Sequence, residues 1–331
     1  MRRVLLAGAG AVGARAGRQL VDTPGIDQVL VADRAADEAR ALADMLGAEA
    51  VAWPPTGLDE VDAVAVALPA SAALAVTRAA VTAGRPAAVV ADEELALAAL
   101  GALDASAREA GIAVVAGCAL VPGLSEVLAR HAADALDAAD EVHVARAGAA
   151  GPECVAALRR IRRARALEWH DDAWRSERRL GPQLVWFPDP VGARECEVAP
   201  GGVALMRDAI PGVRHAAVRV AEPPVRSPLR ALLGRQPLDN GWGAARVEVW
   251  GWRGEARESI VYGVIERPAV AAGTVLAVTA ARLAGALAAV TFAVQPIGAG
   301  GLGTFMTPAP FLAELARRGV KAAAFEGVPA A

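Results

Sequence analysis

Apolar residues in the first 120 positions fall into short runs separated by longer, partly polar stretches. The runs 4–7, 29–32, 63–68, 87–91 and 112–116 predict strands, and a weaker one is expected near 50–53. Between them, 11–20, 35–46, 71–83 and 95–110 have the length and spacing of helices. Strands that are apolar on both faces and alternate with helices predict a parallel sheet covered on two sides, a doubly wound α/β domain. Beyond residue 116 the pattern changes. A turn-rich link at 117–123 leads into a helix at 124–136. The runs 141–146, 216–221, 246–252 and 256–265 then alternate apolar and polar residues, the last two joined by Arg253-Gly254-Glu255. This predicts a second, α+β domain built on a mostly antiparallel sheet. The expected division is 1–123, a Rossmann dinucleotide-binding domain; 124–268, a substrate and dimerisation domain; and 269–331, a segment returning to the first domain. The proline- and arginine-rich stretch 222–243, with Asn240-Gly241, is expected to be a long loop.

Residues 270–294 are long enough to span a bilayer, but they are rich in small residues and carry Arg282, so a buried helix is expected. The glycine run 298–303 has no strand before it and reads as a plain loop.

The chain has 331 residues, which suits two domains, and a formal net charge of -3 with a pI near 5.9. Such a balance gives no general attraction to nucleic acid or anionic lipid. Lys321 is the only lysine, and alanine is very abundant, a pairing that points to coding bias. Cys118, Cys154 and Cys196 are far apart and form no CxxC pair, so reduced thiols are expected, with neither disulfide nor metal site. The N-terminal apolar run breaks into glycines after four residues, and no export signal is evident. The expectation is a cytoplasmic protein with a small-molecule substrate, no nucleic-acid partner, no membrane, and a homodimeric assembly.

The strongest local signal is Gly8-Ala9-Gly10-Ala11-Val12-Gly13, directly after a strand and opening a helix. Gly8 permits the tight turn, Gly10 lets backbone approach a pyrophosphate, and Gly13 lets helix and strand pack closely. Asp33 stands 20 residues beyond Gly13 at the end of the second strand, where a carboxylate accepts the hydroxyls of an adenosine ribose. Asp33 opposes a 2'-phosphate and favours NAD. Arg34, beside it, suits NADP, so the choice between NAD and NADP stays open with NAD ahead. Ligands of open parallel sheets lie beyond the carboxyl ends of the strands. The segments there are Leu68-Pro69-Ala70-Ser71, Asp92-Glu93 and 117–125, the last containing Cys118 and leading to Ser125 and Glu126 at a helix start.

The segment GCALVPGLSEVLA from Gly117 is similar to the G-C-G-x-x-P-G-L-S/T element of saccharopine dehydrogenase and lysine 6-dehydrogenase-like proteins. The resemblance extends back through Val61-Asp62-Ala63, Leu68-Pro69 and 79–84, and forward to Pro310-Phe311-Leu312-Ala313-Glu314-Leu315 and Gly319. It implies a Rossmann domain, an α+β domain, a C-terminal return, and oxidation or reduction at a carbon–nitrogen bond of a small amine, imine or amino acid. By position, it makes Gly8, Gly10, Ala11, Val12, Gly13, Asp33 and Arg34 cofactor-binding residues, with Leu68, Pro69 and Ser71 lining the cofactor. Cys118, Pro122, Gly123 and Ser125 would border the substrate. Val121 stands where saccharopine-forming members tend to carry an acidic residue, so proton transfer falls to Asp92, Glu93, Glu126, a second-domain histidine, with His170 foremost, or water, and Cys118 is a further catalytic candidate.

Arg159, Arg160, Arg162, Arg163 and Arg165 cluster on one predicted helix, and an arginine suits bidentate capture of a carboxylate. A short-chain dehydrogenase needs Tyr-x-x-x-Lys, but Tyr262 is followed by Glu266. A sugar-dehydrogenase relative needs Glu-Lys-Pro after the fifth strand, where Asp92-Glu93-Glu94 stands. Two alternatives stay open: a non-catalytic nicotinamide-dependent sensor or scaffold, and a semialdehyde dehydrogenase using Cys118 as nucleophile.

Overall fold

The computed structural model describes residues 1–177, 181–222 and 241–325. The first part of the chain alternates β1 (Arg3–Ala7), α1 (Ala11–Val21), β2 (Gln28–Ala32), α2 (Ala36–Leu46), β3 (Glu49–Ala50), β4 (Ala63–Val66), α3 (Ala70–Thr82), β5 (Ala87–Val89), α4 (Glu94–Gly101), α5 (Asp104–Glu109) and β6 (Ala113–Ala116). All these strands pair in parallel, in the order β6-β5-β4-β1-β2-β3. Strands β1, β4, β5 and β6 are buried on both faces apart from Arg3, which is why their sequences are unbroken apolar runs. The helix expected at 95–110 is divided in two at 102–103, just after Gly101.

The second part runs through α6 (Leu124–Ala133), β7 (Ala138–Ala147), α7 (Pro152–Arg163), β8 (Ala166–His170), β9 (Ala173–Glu177), β10 (Gln183–Trp186), β11 (Ala193–Val198), α8 (Val203–Ala209), β12 (His215–Ala221), β13 (Gly243–Arg253) and β14 (Ala256–Glu266). These strands form a second sheet, ordered β10-β11-β12-β7-β13-β14, with β8 and β9 attached at β12. The sheet is mixed: β7 and β12 pair in parallel, while the remaining pairs are antiparallel. A parallel pair needs a long crossover, and residues 148–214 supply it. Most of the stretch 222–243 expected to be a loop lies outside the described residues.

The last part comprises α9 (Pro268–Leu283), β15 (Gly298–Gly301), α10 (Leu302–Phe305), α11 (Pro308–Arg317) and β16 (Ala322–Phe325). It serves both sheets. β15 extends the first in parallel beside β6, and β16 pairs with β14 in the second. The plain loop expected at 298–303 is therefore a strand followed by a helical turn. Its glycines are there for close approach: a Cβ on Gly300 would lie 3.1 Å from the Phe305 ring, and one on Gly301 would lie 3.2 Å from Leu205. Because these positions carry no apolar side chain, hydropathy did not signal a strand.

Residues 271–281 of α9 are all buried, so the apolar run near 270–294 serves packing. A Cβ on Gly273 would meet Arg15 and Ala16 of α1 at 2.5 and 2.8 Å, so the two helices approach with no room for a side chain. No helix among the described residues is long and apolar enough to cross a membrane. One continuous apolar core joins Leu6 and Leu20 of the first part, Val127 and Leu128 of α6, Val247 of the second sheet, and Leu276 of α9. That shared core fixes the two walls of the cleft between the sheets.

Candidate functional site: a dinucleotide cleft

At the end of β1 the chain makes its first tight turn. Gly8 has φ +114, and its N–H donates to the Ala32 carbonyl at 2.8 Å. A Cβ on Gly13 would lie 1.8 Å from the Gly8 carbonyl oxygen, so α1 can start there only with glycine. Gly10 differs from both, because nothing lies within 4 Å of a Cβ built on it. It borders open space, which a side chain would fill. Asp33 is locked across this turn: one carboxylate oxygen accepts the Ala9 N–H at 2.8 Å and the other accepts the Ala35 N–H at 2.9 Å. An ionised carboxylate has about four acceptor positions, so each oxygen keeps one for a further donor.

A cleft of about 480 Å³ runs from this turn to the second domain. Gly10, Ala11, Val12, Asp33, Arg34 and Glu38 line one end, and Leu68, Pro69, Ala70 and Ala73 line its middle. At the far end stand Asp92, Glu93, Ala119, Leu120, Arg146, Cys154 and Arg160. Asp92 follows β5, and its side chain is 20% exposed. Arg146, one residue before the end of β7, lies 3.4 Å from the Asp92 carboxylate, donates to the Val121 carbonyl, and sits 3.8 Å from the Cys154 sulfur. Burial lifts the Asp92 carboxyl above the usual carboxylate range; Arg146 opposes the shift and the neighbouring Glu93 adds to it. Burial likewise raises the Cys154 thiol. From α7, Arg160 grips Glu93 through two hydrogen bonds of 3.0 and 2.9 Å and reaches Glu153 at 3.3 Å.

The expected cofactor residues converge here, with one exception. Gly10, Ala11, Val12, Asp33, Arg34, Leu68 and Pro69 line the cleft, while Gly8 and Gly13 build the turn behind it. Ser71 does not line it. One position into α3 turns a side chain by about 100°, and Ser71 is exposed while Ala70 and Ala73 face the cleft.

The residues expected around the substrate need more correction. The segment 117–129 is buried throughout and contributes only Ala119 and Leu120 to the cleft. Its turn is closed by bonds from the Leu124 and Ser125 N–H groups to the Ala119 and Leu120 carbonyls, and this packs Pro122, Gly123 and Ser125 inward. Cys118 is fully buried, its sulfur donates to the Val115 carbonyl, and burial pushes its thiol up to about 12. Such a thiol is neither reachable nor ionised, which removes the basis for Cys118 as a nucleophile. Glu126 is also fully buried; one oxygen accepts from Ser125 at 3.1 Å, the other has no partner, and burial raises the carboxyl to about 8. His170 stands at the end of β8 beside Asp171 and His215, and none of the three lines the cleft. Of the expected proton-transfer residues the fold brings Asp92 and Glu93 to the cleft, and Glu93 is held by Arg160.

Arg146 and Cys154 were not singled out from the sequence. The signal was present in Val144-Ala145-Arg146-Ala147-Gly148, an arginine among small apolar residues at a strand end, where a charged side chain needs a buried partner.

Apo histidine-tagged saccharopine dehydrogenase (L-Glu forming) from Saccharomyces cerevisiae superposes with a TM-score of 0.69 at 16% sequence identity, covering 98% of this chain and 100% of that one. The chain has the saccharopine dehydrogenase fold. At that identity the likeness is one of fold alone. A myo-inositol dehydrogenase from Corynebacterium glutamicum gives a TM-score of 0.51 at 13% identity, covering 99% of this chain and 100% of that one. Residues 2–118 match the family model described as "Oxidoreductase family, NAD-binding Rossmann fold". No curated protein matches the chain. The first domain is therefore an NAD(P)-binding Rossmann domain of an oxidoreductase fold. The glycine turn fits that cofactor on its own geometry, since Gly10 leaves open the space a pyrophosphate needs and Asp33 is held ready for hydroxyl donors.

Proposed function

We propose that the protein is an NAD(P)-dependent oxidoreductase acting on a carbon–nitrogen bond of a small amine, imine or amino acid, with NAD preferred. The observation that carries the reading is the composition of the far end of the cleft. Three carboxylates, Asp92, Glu93 and Glu153, face two guanidiniums, Arg146 and Arg160, so with Asp92 ionised one negative charge is in excess. That balance suits a substrate with a cationic nitrogen.

When bound, the nicotinamide supplies a hydride acceptor or donor. Oxidation of an amine to an imine removes a hydride from carbon and a proton from nitrogen, so the protein must supply a place for the proton. Asp92 meets this need: it borders the cleft, and its raised carboxyl takes a proton more readily than an ordinary aspartate. In the reductive direction the protonated Asp92 returns it. Arg146 positions Asp92 and ties it to the Val121 carbonyl. Arg160, by holding Glu93, fixes α7 against the β5 loop and closes that side.

The sugar-dehydrogenase alternative lacks its lysine, because Asp92-Glu93-Glu94 follows β5. NAD preference is supported by Asp33 and Glu38 at the adenosine end, against the single cation of Arg34.

The experiment is a panel of amines and amino acids with NAD or NADP, and of 2-oxo acids with amines and NADH or NADPH. Each is followed at the nicotinamide absorbance. Turnover of at least one carbon–nitrogen substrate is expected. Turnover of hydroxy acids or aldehydes alone would refute the carbon–nitrogen assignment, and tight cofactor binding without any turnover would favour a sensor.

A further inference from the structure

On the second sheet, away from the cleft, β8 and β12 run antiparallel with His170 directly opposite His215. Directly paired positions on neighbouring strands project to one face about 5 Å apart. Here the two imidazoles stack with centroids 4.0 Å apart and planes 4° from parallel. The hairpin joining β8 to β9 turns on two residues, Asp171 and Asp172, both left-handed with φ 49 and 58. Such a turn ordinarily selects Asn-Gly or Asp-Gly. The N–H of Asp171 donates to the Arg214 carbonyl at 2.9 Å, which pins the turn against the start of β12. The carboxylate is thereby brought to both rings, at 3.3 Å from His170 Nε2 and 3.2 Å from His215 Nε2.

We propose that His170, Asp171 and His215 form a binding site for a divalent first-row transition metal ion such as Zn²⁺. Ligand atoms about 2.0–2.1 Å from a tetrahedral zinc lie roughly 3.3 Å from one another. Each imidazole nitrogen has a different oxygen of the Asp171 carboxylate near that distance, Oδ2 for His170 and Oδ1 for His215, and with one atom taken from each residue the three lie within 4.8 Å of one another. The remaining adjustment is to draw the imidazole nitrogens together and turn the carboxylate. Two imidazoles and one carboxylate suit zinc, iron, cobalt or nickel, whereas magnesium and calcium take oxygen ligands. The competitors are Arg214, 2.9 Å from the carboxylate, and Arg175 at 3.7 Å. Both arginine side chains are more than half exposed and can swing into solvent. Bound metal would clasp the β8–β9 hairpin to β12 and leave coordination positions open to solvent.

The test is calorimetric titration of the tag-free, full-length protein with Zn²⁺ alone, together with NMR of the histidine side-chain nitrogens. One Zn²⁺ per chain is expected, with the resonances of two histidines shifting. His170→Ala and His215→Ala should each weaken binding at least tenfold, and Arg214→Ala should tighten it by freeing Asp171. NADH affinity should not change in any of these variants, so the result is independent of the oxidoreductase reading. Absence of Zn²⁺ binding by the unaltered protein would overturn the site. So would full binding in the His170→Ala/His215→Ala double variant, which would place the ion elsewhere. The NMR reading uses the unaltered chain and decides the matter even if a variant fails to fold.

Discussion

At one end of the cleft, the groups we propose for the dinucleotide come from residues 8–38: the turn after β1, the start of α1, the end of β2 and the start of α2. At the other end, Asp92 meets Arg146 across 54 residues and Glu93 meets Arg160 across 67. The first end is held by backbone, through Gly8 and Gly13 packing and the N–H groups that fix Asp33. The second is held by side chains from two domains. A backbone-built site leaves a compact signature in sequence, because only glycine satisfies the contacts at fixed spacing. A site assembled from four segments leaves none until the fold brings them together.

This contrast can be broken first where the effect should be greatest. Gly10 has extended backbone angles and empty space beside it, so Gly10→Val should fold normally while placing a side chain where the pyrophosphate lies. Affinity for NADH should fall about a thousandfold or more, roughly 4 kcal/mol, measured by calorimetry beside a circular dichroism control. Unchanged affinity in the folded variant would refute the cofactor end.

A second change sharpens the boundary between the cleft and the packed turn behind it. Glu126 is buried with its carboxyl raised to about 8, while the unfolded chain ionises near 4.5. The unfolded state therefore loses its proton first as pH rises. Stability is fully present below about 4.5 and declines through pH 8. Glu126→Gln should remove that decline, roughly 4 kcal/mol by pH 8, in urea unfolding at several pH values, and should leave turnover intact. Loss of activity with an unaltered pH–stability slope would restore Glu126 to catalysis.

The smallest effect concerns cofactor choice. Asp33→Ala removes the ribose acceptor and the charge opposing a 2'-phosphate, so the NAD-to-NADP affinity ratio should fall about tenfold, near 1.4 kcal/mol. Equal loss for both would show that Asp33 serves only the turn, through Ala9 and Ala35.

The legibility of the sequence follows the same division. The parallel sheet was readable because strands such as β4 and β6 are buried on both faces and so are unbroken in apolar character. The glycine strand β15 was not, because its neighbours fill the space its side chains would occupy. At the site, Gly10, Asp33, Leu68 and Pro69 were found by spacing after strands. Cys118, Pro122, Gly123 and Ser125 were found by likeness of motif, yet the turn they belong to is sealed by its own backbone bonds and shows only Ala119 and Leu120 to the cleft. Arg146 escaped notice because its partner, Asp92, lies in another domain.

If the cofactor binds at the glycine turn and the proton moves at Asp92, the two ends of the cleft are separable by mutation. The most direct measurement is NADH affinity and kcat side by side for Asp92→Asn, with whichever carbon–nitrogen substrate the panel identifies. An unchanged NADH Kd with kcat lowered by about a hundredfold or more is the result predicted. Retained kcat, or a loss confined to NADH binding, would contradict it.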